Sequence, residues 1–255
     1  KNGKLSVTGS NLTLEGADSA TILLAATTDF ANSPEQKWRG EKPGPKLDRI
    51  LAAASKKPFV KLKTAHTADH QALFGRVKVD LGPSRDDLPT DQRLADYQKK
   101  HEPGLDALFF QYGRYLMIGS SRPGGLPANL QGIWNQDMKP AWYSGYTTNI
   151  NVEMNYWLAE PANLSECHQT LFDWLRNLAT VRKKNAQPAI AAKRGWTAYS
   201  TNNPMGGNST WGIHRPGPAW MTQHLWTHYE FSGDKEFLKT RAYPALKELV
   251  EYWED

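Results

Sequence analysis

"NLSECHQTLFDWLRNLATV", residues 163–181, is the stretch that decides the fold. Leu164, Cys167, Leu171, Trp174, Leu175 and Leu178 recur at spacings of three and four, so a helix gathers all six into one apolar stripe. A strand would scatter them over both faces. A helix with so wide an apolar stripe needs other elements to bury it, which makes this chain a packed helical protein.

The same period extends in both directions. Upstream, residues 103–118 carry Leu105, Leu108, Phe109, Tyr112 and Leu116 at helical spacing. Downstream, helices are predicted over 218–231 and 234–242, with Gly233 as the stop between them. Another opens at Pro244, with Leu246, Leu249, Val250 and Trp253 on one face. Residues 120–151 and 193–217 connect these helices. Connections longer than about 15 residues are functional or disordered, and these are too rich in rings for disorder. Helical hairpins with elaborate loops on one side suggest an α-barrel or toroid whose loops form a cleft.

The first hundred residues read differently. Leu5 and Val7, a "TGSN" turn, then Leu12 and Leu14 alternate as a hairpin does, and the β-rich "SATILLAATTDF" follows. This is too little sheet to stand alone, so an upstream portion is expected. Residues 33–45 turn to Pro, Gly and charge, as a linker does. A helix opens near Pro45 with Leu47, Ile50, Leu51 and Ala54 on one stripe. Short helices are predicted over 62–74 and 90–100, with an extended "RVKVDLG" between them.

Composition excludes several classes. The net charge of +5 comes from 31 Lys and Arg against 26 Asp and Glu, and its densest cluster, "VRKKNA", is too small for a nucleic-acid stripe. No apolar run approaches the roughly 20 residues needed to cross a bilayer. The single cysteine, Cys167, excludes an internal disulfide and sits as a small core residue would. His224 and His228 have the spacing of a zinc pair, but Leu225 stands where a metalloprotease carries its glutamate, so a packed pair beside Trp220 and Trp226 is expected. No metal or cofactor is expected. "RPGGLPANLQG" lacks the Lys-Ser/Thr of a phosphate loop. Asn11, Asn163 and Asn208 begin sequons that matter only in a eukaryotic secretory pathway.

Between Gly124 and Trp157, amides alternate with rings: Asn129, Gln131, Asn135, Asn149, Asn151 and Asn155 among Trp134, Trp142, Tyr143, Tyr146, Tyr156 and Trp157. Amides that donate and accept, beside aromatic faces, suit a polyol. If "TNIN" is extended, Asn149 and Asn151 share a face about 7 Å apart. The competing reading is a run of turn-forming and helix-capping asparagines.

Three long motifs, "YGRYLMIGSSRPGGLPANLQGIWN", "SGYTTNINVEMNYWLAEPANLSECH" and "QHLWTHYEFSGDKEFL", closely resemble glycoside hydrolase family 95, the inverting α-L-fucosidases and α-L-galactosidases. The likeness runs over nearly the whole chain. It implies a mainly α fold: the last strands of a β-sandwich-like domain over 1–32, a helical linker over 33–100, and the first half of an (α/α)6 catalytic barrel over 101–255. An inverting glycosidase needs an acid for the leaving oxygen and a base for a water on the opposite face. The resemblance gives the base role to Asn151, polarised by an aspartate, and the companion role to Asn149. It puts the glutamate acid and the helper aspartate beyond Asp255, so the 255 residues alone are expected to be inactive; Glu153 and Glu160 are the nearest carboxylates present. Glu153 itself reads as a structural group or a hydroxyl ligand.

Two departures bear on the substrate. Fucosidases of the family carry a histidine where Thr147 stands, and a smaller, hydroxyl-bearing side chain makes room for the C6 hydroxyl that distinguishes L-galactose from L-fucose. This tilts the expectation toward α-L-galactosides. "GWTAYSTNNPMGG" stands where a His-rich loop is typical. Trp134, Trp142, Trp196 and Trp211 are the candidate sugar-stacking rings. The expected partner is an oligosaccharide or polysaccharide, with no nucleic acid and no membrane, in a secreted or periplasmic setting that follows from the substrate class alone. A non-catalytic sugar-binding homologue and another (α/α)6 carbohydrate enzyme are the alternatives.

Overall fold

The computed structural model describes residues 3–190, 193–208 and 211–255, with backbone alone for 185–190. The Ser209 and Thr210 of the third sequon lie outside the described residues. Two compact units divide the chain: residues 1–30 with 40–68, and residues 31–39 with 69–255.

In the first unit, β1 (Lys4–Thr8) and β2 (Asn11–Glu15) pair antiparallel with Leu5 opposite Leu14 and Val7 opposite Leu12. Gly9, at φ +60, takes the glycine position of the two-residue turn. Residues 19–28, expected as a strand, form no regular element, and Ile22 and Leu24 are exposed. The alternation gives them β character, yet among the described residues no neighbouring strand takes up their N–H and C=O groups. α1 (Pro43–Ser55) begins with prolines in its first turn, as expected, and half-buries Leu47, Leu51 and Ala54. α2 (Phe59–Phe74) follows, its residues divided between the two units.

The second unit is helical. α3 (Thr90–Tyr97) and α4 (Pro103–Ser120) are joined through a buried ion pair, Arg93 to Glu102 at 2.7 Å, and the Arg85 N–H donates to the same carboxylate at 2.9 Å. α5 (Asn151–Tyr156) is short, and α6 (Ser165–Ile190) is long. α7 (Pro216–Ser232) ends at Gly233, which is left-handed at φ +66, and Asp234 caps the following α8 (Lys235–Phe237). Five residues, Leu238–Ala242, wind as a π-helix into α9 (Tyr243–Glu254). The stretch 76–82 has no strand pairing among the described residues.

The opening stripe holds in full: Leu164, Cys167, Leu171, Trp174, Leu175 and Leu178 are all buried at the centre of the core, with Met117, Ile118, Val152, Tyr156, Trp196, Met221 and Leu249 around them. The stripe expected on α4 does not hold. Leu108, Phe109 and Tyr112 are exposed, and the buried face is Leu105, Arg114, Met117 and Ile118. Arg114 is fully buried because its guanidinium is spent on carbonyls. It donates to Phe74 at 2.7 Å, Leu73 at 2.9 Å, Ala162 at 3.2 Å and Val77 at 3.3 Å, and to Gln111 Oε1 at 2.8 Å. A hydropathy period counts that arginine as surface, and so rotates the helix by most of a turn face.

Candidate functional site

The amide-rich segment enters as β3 (Tyr146–Thr147), turns through 148–150, and opens α5 at Asn151. "TNIN" is therefore not extended. The turn forms because Thr148 is tied down from beneath. β3 pairs with β5 (Thr201–Asn202), and β4 (Ala198–Tyr199) pairs with β6 (Ile213–His214). The Thr148 N–H donates to Ser200 O at 2.8 Å and its hydroxyl to Tyr199 O at 2.8 Å. His214 Nδ1–H donates to the Thr148 carbonyl at 3.1 Å, and Gly217, in the first turn of α7, lies against the same carbonyl. A Cβ at Gly217 would meet that oxygen at 2.5 Å, so only glycine lets α7 approach so closely.

Five of the six amides divide into two groups, and Gln131 stands apart, its Nε2 donating to Ala141 O at 3.5 Å and its Oε1 buried without a partner among the described residues. Asn155 Nδ2 donates to Ala128 O and Asn129 O at 3.3 and 3.2 Å, Asn129 Oδ1 accepts from the Gln131 N–H, and Asn135 closes its own turn through Asp137. Asn129 and Asn135 are thus the turn-formers of the competing reading, while Asn155 ties α5 to the 128–129 backbone. Asn149 is exposed, Asn151 is half-buried at the start of α5, and neither carboxamide has a hydrogen-bond partner among the described residues. Thr147, half-buried, precedes them. Tyr156 fixes the other end of α5: its hydroxyl accepts from the Ala128 N–H at 2.8 Å and is 2.8 and 3.0 Å from the hydroxyls of Ser121 and Thr170.

The rings divide as well. Trp134, Trp142 and Trp211 are about half exposed or more. Trp134 lies over Gly132 and Gly119, where a Cβ would meet its ring at 2.8 and 3.3 Å. Trp142, Tyr143 and Ser144 are left-handed at φ 48, 56 and 50, a conformation that costs non-glycine residues roughly 1 kcal/mol or more each. The turn presents Trp142 and Tyr143 outward. Trp196 is a correction: at 2% exposure it belongs to the hydrophobic core, and no ring face is open to a sugar. Its loop is drawn inward by Arg182, which donates to Thr197 O at 2.9 Å and stacks on Tyr199 at 4.2 Å.

Two carboxylates belong to this region, Glu153 within α5 and Glu160 in the turn after it. Glu153 is fully buried, so it is no hydroxyl ligand, and neither of its oxygens has a hydrogen-bond partner among the described residues. Burial pushes its carboxyl up to about 7 from 4.5, and the nearby backbone N–H groups of Glu153 and Ile150 pull only partly the other way. Since the folded value is the higher one, the native state holds this proton more tightly than the unfolded chain. Stability is unaffected below about pH 4.5 and falls as pH rises through the window up to 7. Glu153→Gln removes that loss, and the 255-residue polypeptide is expected to gain about 3 kcal/mol at pH 8 and nothing at pH 4. Denaturant titration at the two pH values checks it.

Glu160 is the opposite case. Its Oε1 lies 2.8 Å from His168 Nδ1 and 2.7 Å from His228 Nδ1, and Ser165 Oγ donates to Oε2. Burial alone would raise its carboxyl, but these donors hold it well below the usual carboxylate range. His168 Nε2 in turn meets His224 Nδ1 at 2.9 Å. The histidine pair of α7 is thus packed, as expected, though His228 lies against Phe172 and Phe237 and His224 against His168, with Trp226 exposed. Sequence reasoning missed the cluster because Glu160, His168 and His228 are 8 and 68 residues apart. Oxygen to nitrogen distances of 2.7–2.8 Å are those of N–H donors on a carboxylate. Two ligands of one tetrahedral zinc lie roughly 3.3 Å apart, given bonds of about 2.0–2.1 Å.

Residues 58–255 match the Glycosyl hydrolase family 95 catalytic domain. The chain is 38% identical over 95% of its length to "Alpha-L-fucosidase 2" of Arabidopsis thaliana, and 32% identical over 94% to "Probable alpha-fucosidase A" of Aspergillus niger. A protein of the same name from Aspergillus oryzae is 30% identical over 80% of the chain. The chain spans 30%, 32% and 29% of the length of these three relatives.

Proposed function

The chain belongs to glycosyl hydrolase family 95, and from that membership we propose that it carries the water-activating half of an exo-hydrolase that releases terminal α-L-fucose or α-L-galactose with inversion. The relatives are named for fucose. In this reading residues 101–255 are the first half of an (α/α)6 barrel. Asn151 orients and deprotonates the attacking water, its carboxamide polarised by a carboxylate from outside these residues, and Asn149 holds the same water and the sugar. An amide alone is a negligible base, so the carboxylate must drain charge from it as the proton moves. Trp134, Trp142 and Trp211 offer faces to the glycan.

The observation that carries the reading is the division of the amides. Asn129 and Asn135 are spent on turns and Asn155 on a long-range tie, whereas the two matching the family motif, Asn149 and Asn151, keep unpartnered carboxamides beside a turn that is braced from below. The general acid belongs elsewhere, because it must hold a proton and reach the glycosidic oxygen. Glu160 is held ionised, and Glu153 is sealed from solvent. The substrate class sets the enzyme in a secreted or periplasmic environment; no helix among the described residues is long and apolar enough to cross a membrane.

Thr147 governs the choice between the two sugars, by leaving space and a hydroxyl for the C6 oxygen of galactose. The test is one experiment on the full-length enzyme: kcat/KM for 4-nitrophenyl α-L-fucoside and α-L-galactoside, with the first-formed sugar followed by proton NMR. The β-anomer is expected first, with the galactoside cleaved at least as efficiently as the fucoside. The α-anomer appearing first overturns inversion, and a strong fucoside preference overturns the role of Thr147.

A further inference from the structure

The buried cluster of Glu160, Ser165, His168, His224 and His228 is not used by the mechanism above. Its hydrogen bonds form a consistent set. A carboxylate only accepts, so His168 and His228 each carry the Nδ1 proton. The Nε2 of a neutral His168 is then an acceptor, which makes His224 Nδ1–H the donor across the 2.9 Å contact. Three donors thus converge on one carboxylate, and the fourth stands behind them. Burial also keeps His168 and His224 neutral, with His224 held near 3.

The cluster lies where α5 is tied to its neighbours. α5 has six residues, fewer than two turns, and so has no stability of its own. Its orientation is set by its anchors. At its start, the first turn of α7 packs against the preceding Thr148 carbonyl at Gly217, and His214 just before α7 donates to the same oxygen. At its far end, Glu160 in the turn after α5 is gripped by His228 of α7 and His168 of α6, and the His168 ring stacks on Tyr156 at 5.8 Å and 4°. Gly217 and His228 are eleven residues apart on one helix, about 16 Å at 1.5 Å per residue. A rigid helix therefore holds both ends of the segment that bears Asn151.

We propose that Glu160, held by His168 and His228, is a positioning residue that sets the placement of Asn151 against the attacking water. This rests on the reading of Asn151 as the water-activating residue. A misplacement of about 1 Å at a reacting group is enough to cost a large factor in rate.

The test uses the full-length enzyme and 4-nitrophenyl α-L-fucoside, with kcat expressed per folded molecule. His228→Leu removes the donor to Glu160 and is expected to lower kcat about 10-fold with KM changed less than twofold. His228→Asn places an amide N–H close to where Nδ1–H was, and is expected to restore kcat to within about threefold of wild type. Glu160→Gln, which keeps the shape and loses the charge, covers the case in which the leucine variant does not fold, and is expected to lower kcat about threefold at unchanged KM. A lowered melting temperature with unchanged kcat in these variants overturns the proposal. Asn151→Ala is run in parallel. If it abolishes turnover while His228→Leu and Glu160→Gln keep full kcat, this inference fails alone; if it leaves turnover intact, the reading of Asn151 and this inference fall together.

Discussion

Asn151→Ala is expected to lower kcat of the full-length enzyme on 4-nitrophenyl α-L-fucoside by about 10³-fold, within the range ascribed to a positioned general base. KM should move little, because in the proposed mechanism the carboxamide works on the water more than on the resting sugar. The fold should not register the change. Asn151 is half-buried, has no partner among the described residues, and opens its helix without a side-chain cap, so removing its amide breaks no contact described above. Steady-state kinetics with a melting curve on the same sample checks both halves. A loss of activity that tracks a loss of folded protein would refute the assignment.

Arg114→Met is the complementary case, with a large effect on stability and none on chemistry. Methionine fills much of the arginine volume but donates nothing, and it leaves the carbonyls of Leu73, Phe74 and Ala162 without the donors they have now. Buried acceptors stripped of partners cost about 1–3 kcal/mol each before relaxation. The net loss is expected at about 3–5 kcal/mol, the sum over these acceptors after partial relaxation. Urea denaturation measures it. Arg114→Lys should recover only part, since one ammonium cannot span the carbonyls that the planar fork reaches.

The same arginine explains where sequence reading succeeds and where it stops. The α6 stripe is legible because all its buried positions are apolar, and the Gly233 stop is legible because glycine alone enters the left-handed region without cost. The α4 face is misread because one buried position is charged, and its partners come from residues 73, 74 and 162, far off in sequence. Residues 19–28 have strand composition without a strand neighbour. In the amide cluster, local chemistry poses two readings, sugar site or structural amides, and the structure divides the residues between spent amides and unpartnered ones. Asn129 and Asn135 close local turns, Asn155 ties α5 to the carbonyls of Ala128 and Asn129, and Asn149 and Asn151 are left without partners among the described residues. Only the knot around Thr148, drawn from residues 199 to 217, separates them. Trp196 and Trp211 are fifteen positions apart on one ring-rich connection, yet one is core and the other surface. Nothing local distinguishes them.

Cys167 sits at the middle of the stripe that decides the fold, without exposure, its thiol pushed up to about 11 by burial. A thiol so placed is silent to alkylating reagents while α6 is packed, and reacts when the helix lifts from the core. With no second cysteine in these 255 residues to confuse the signal, it serves as a built-in clock. The rate at which a maleimide consumes it, measured at native conditions, reads how often the centre of this protein comes apart.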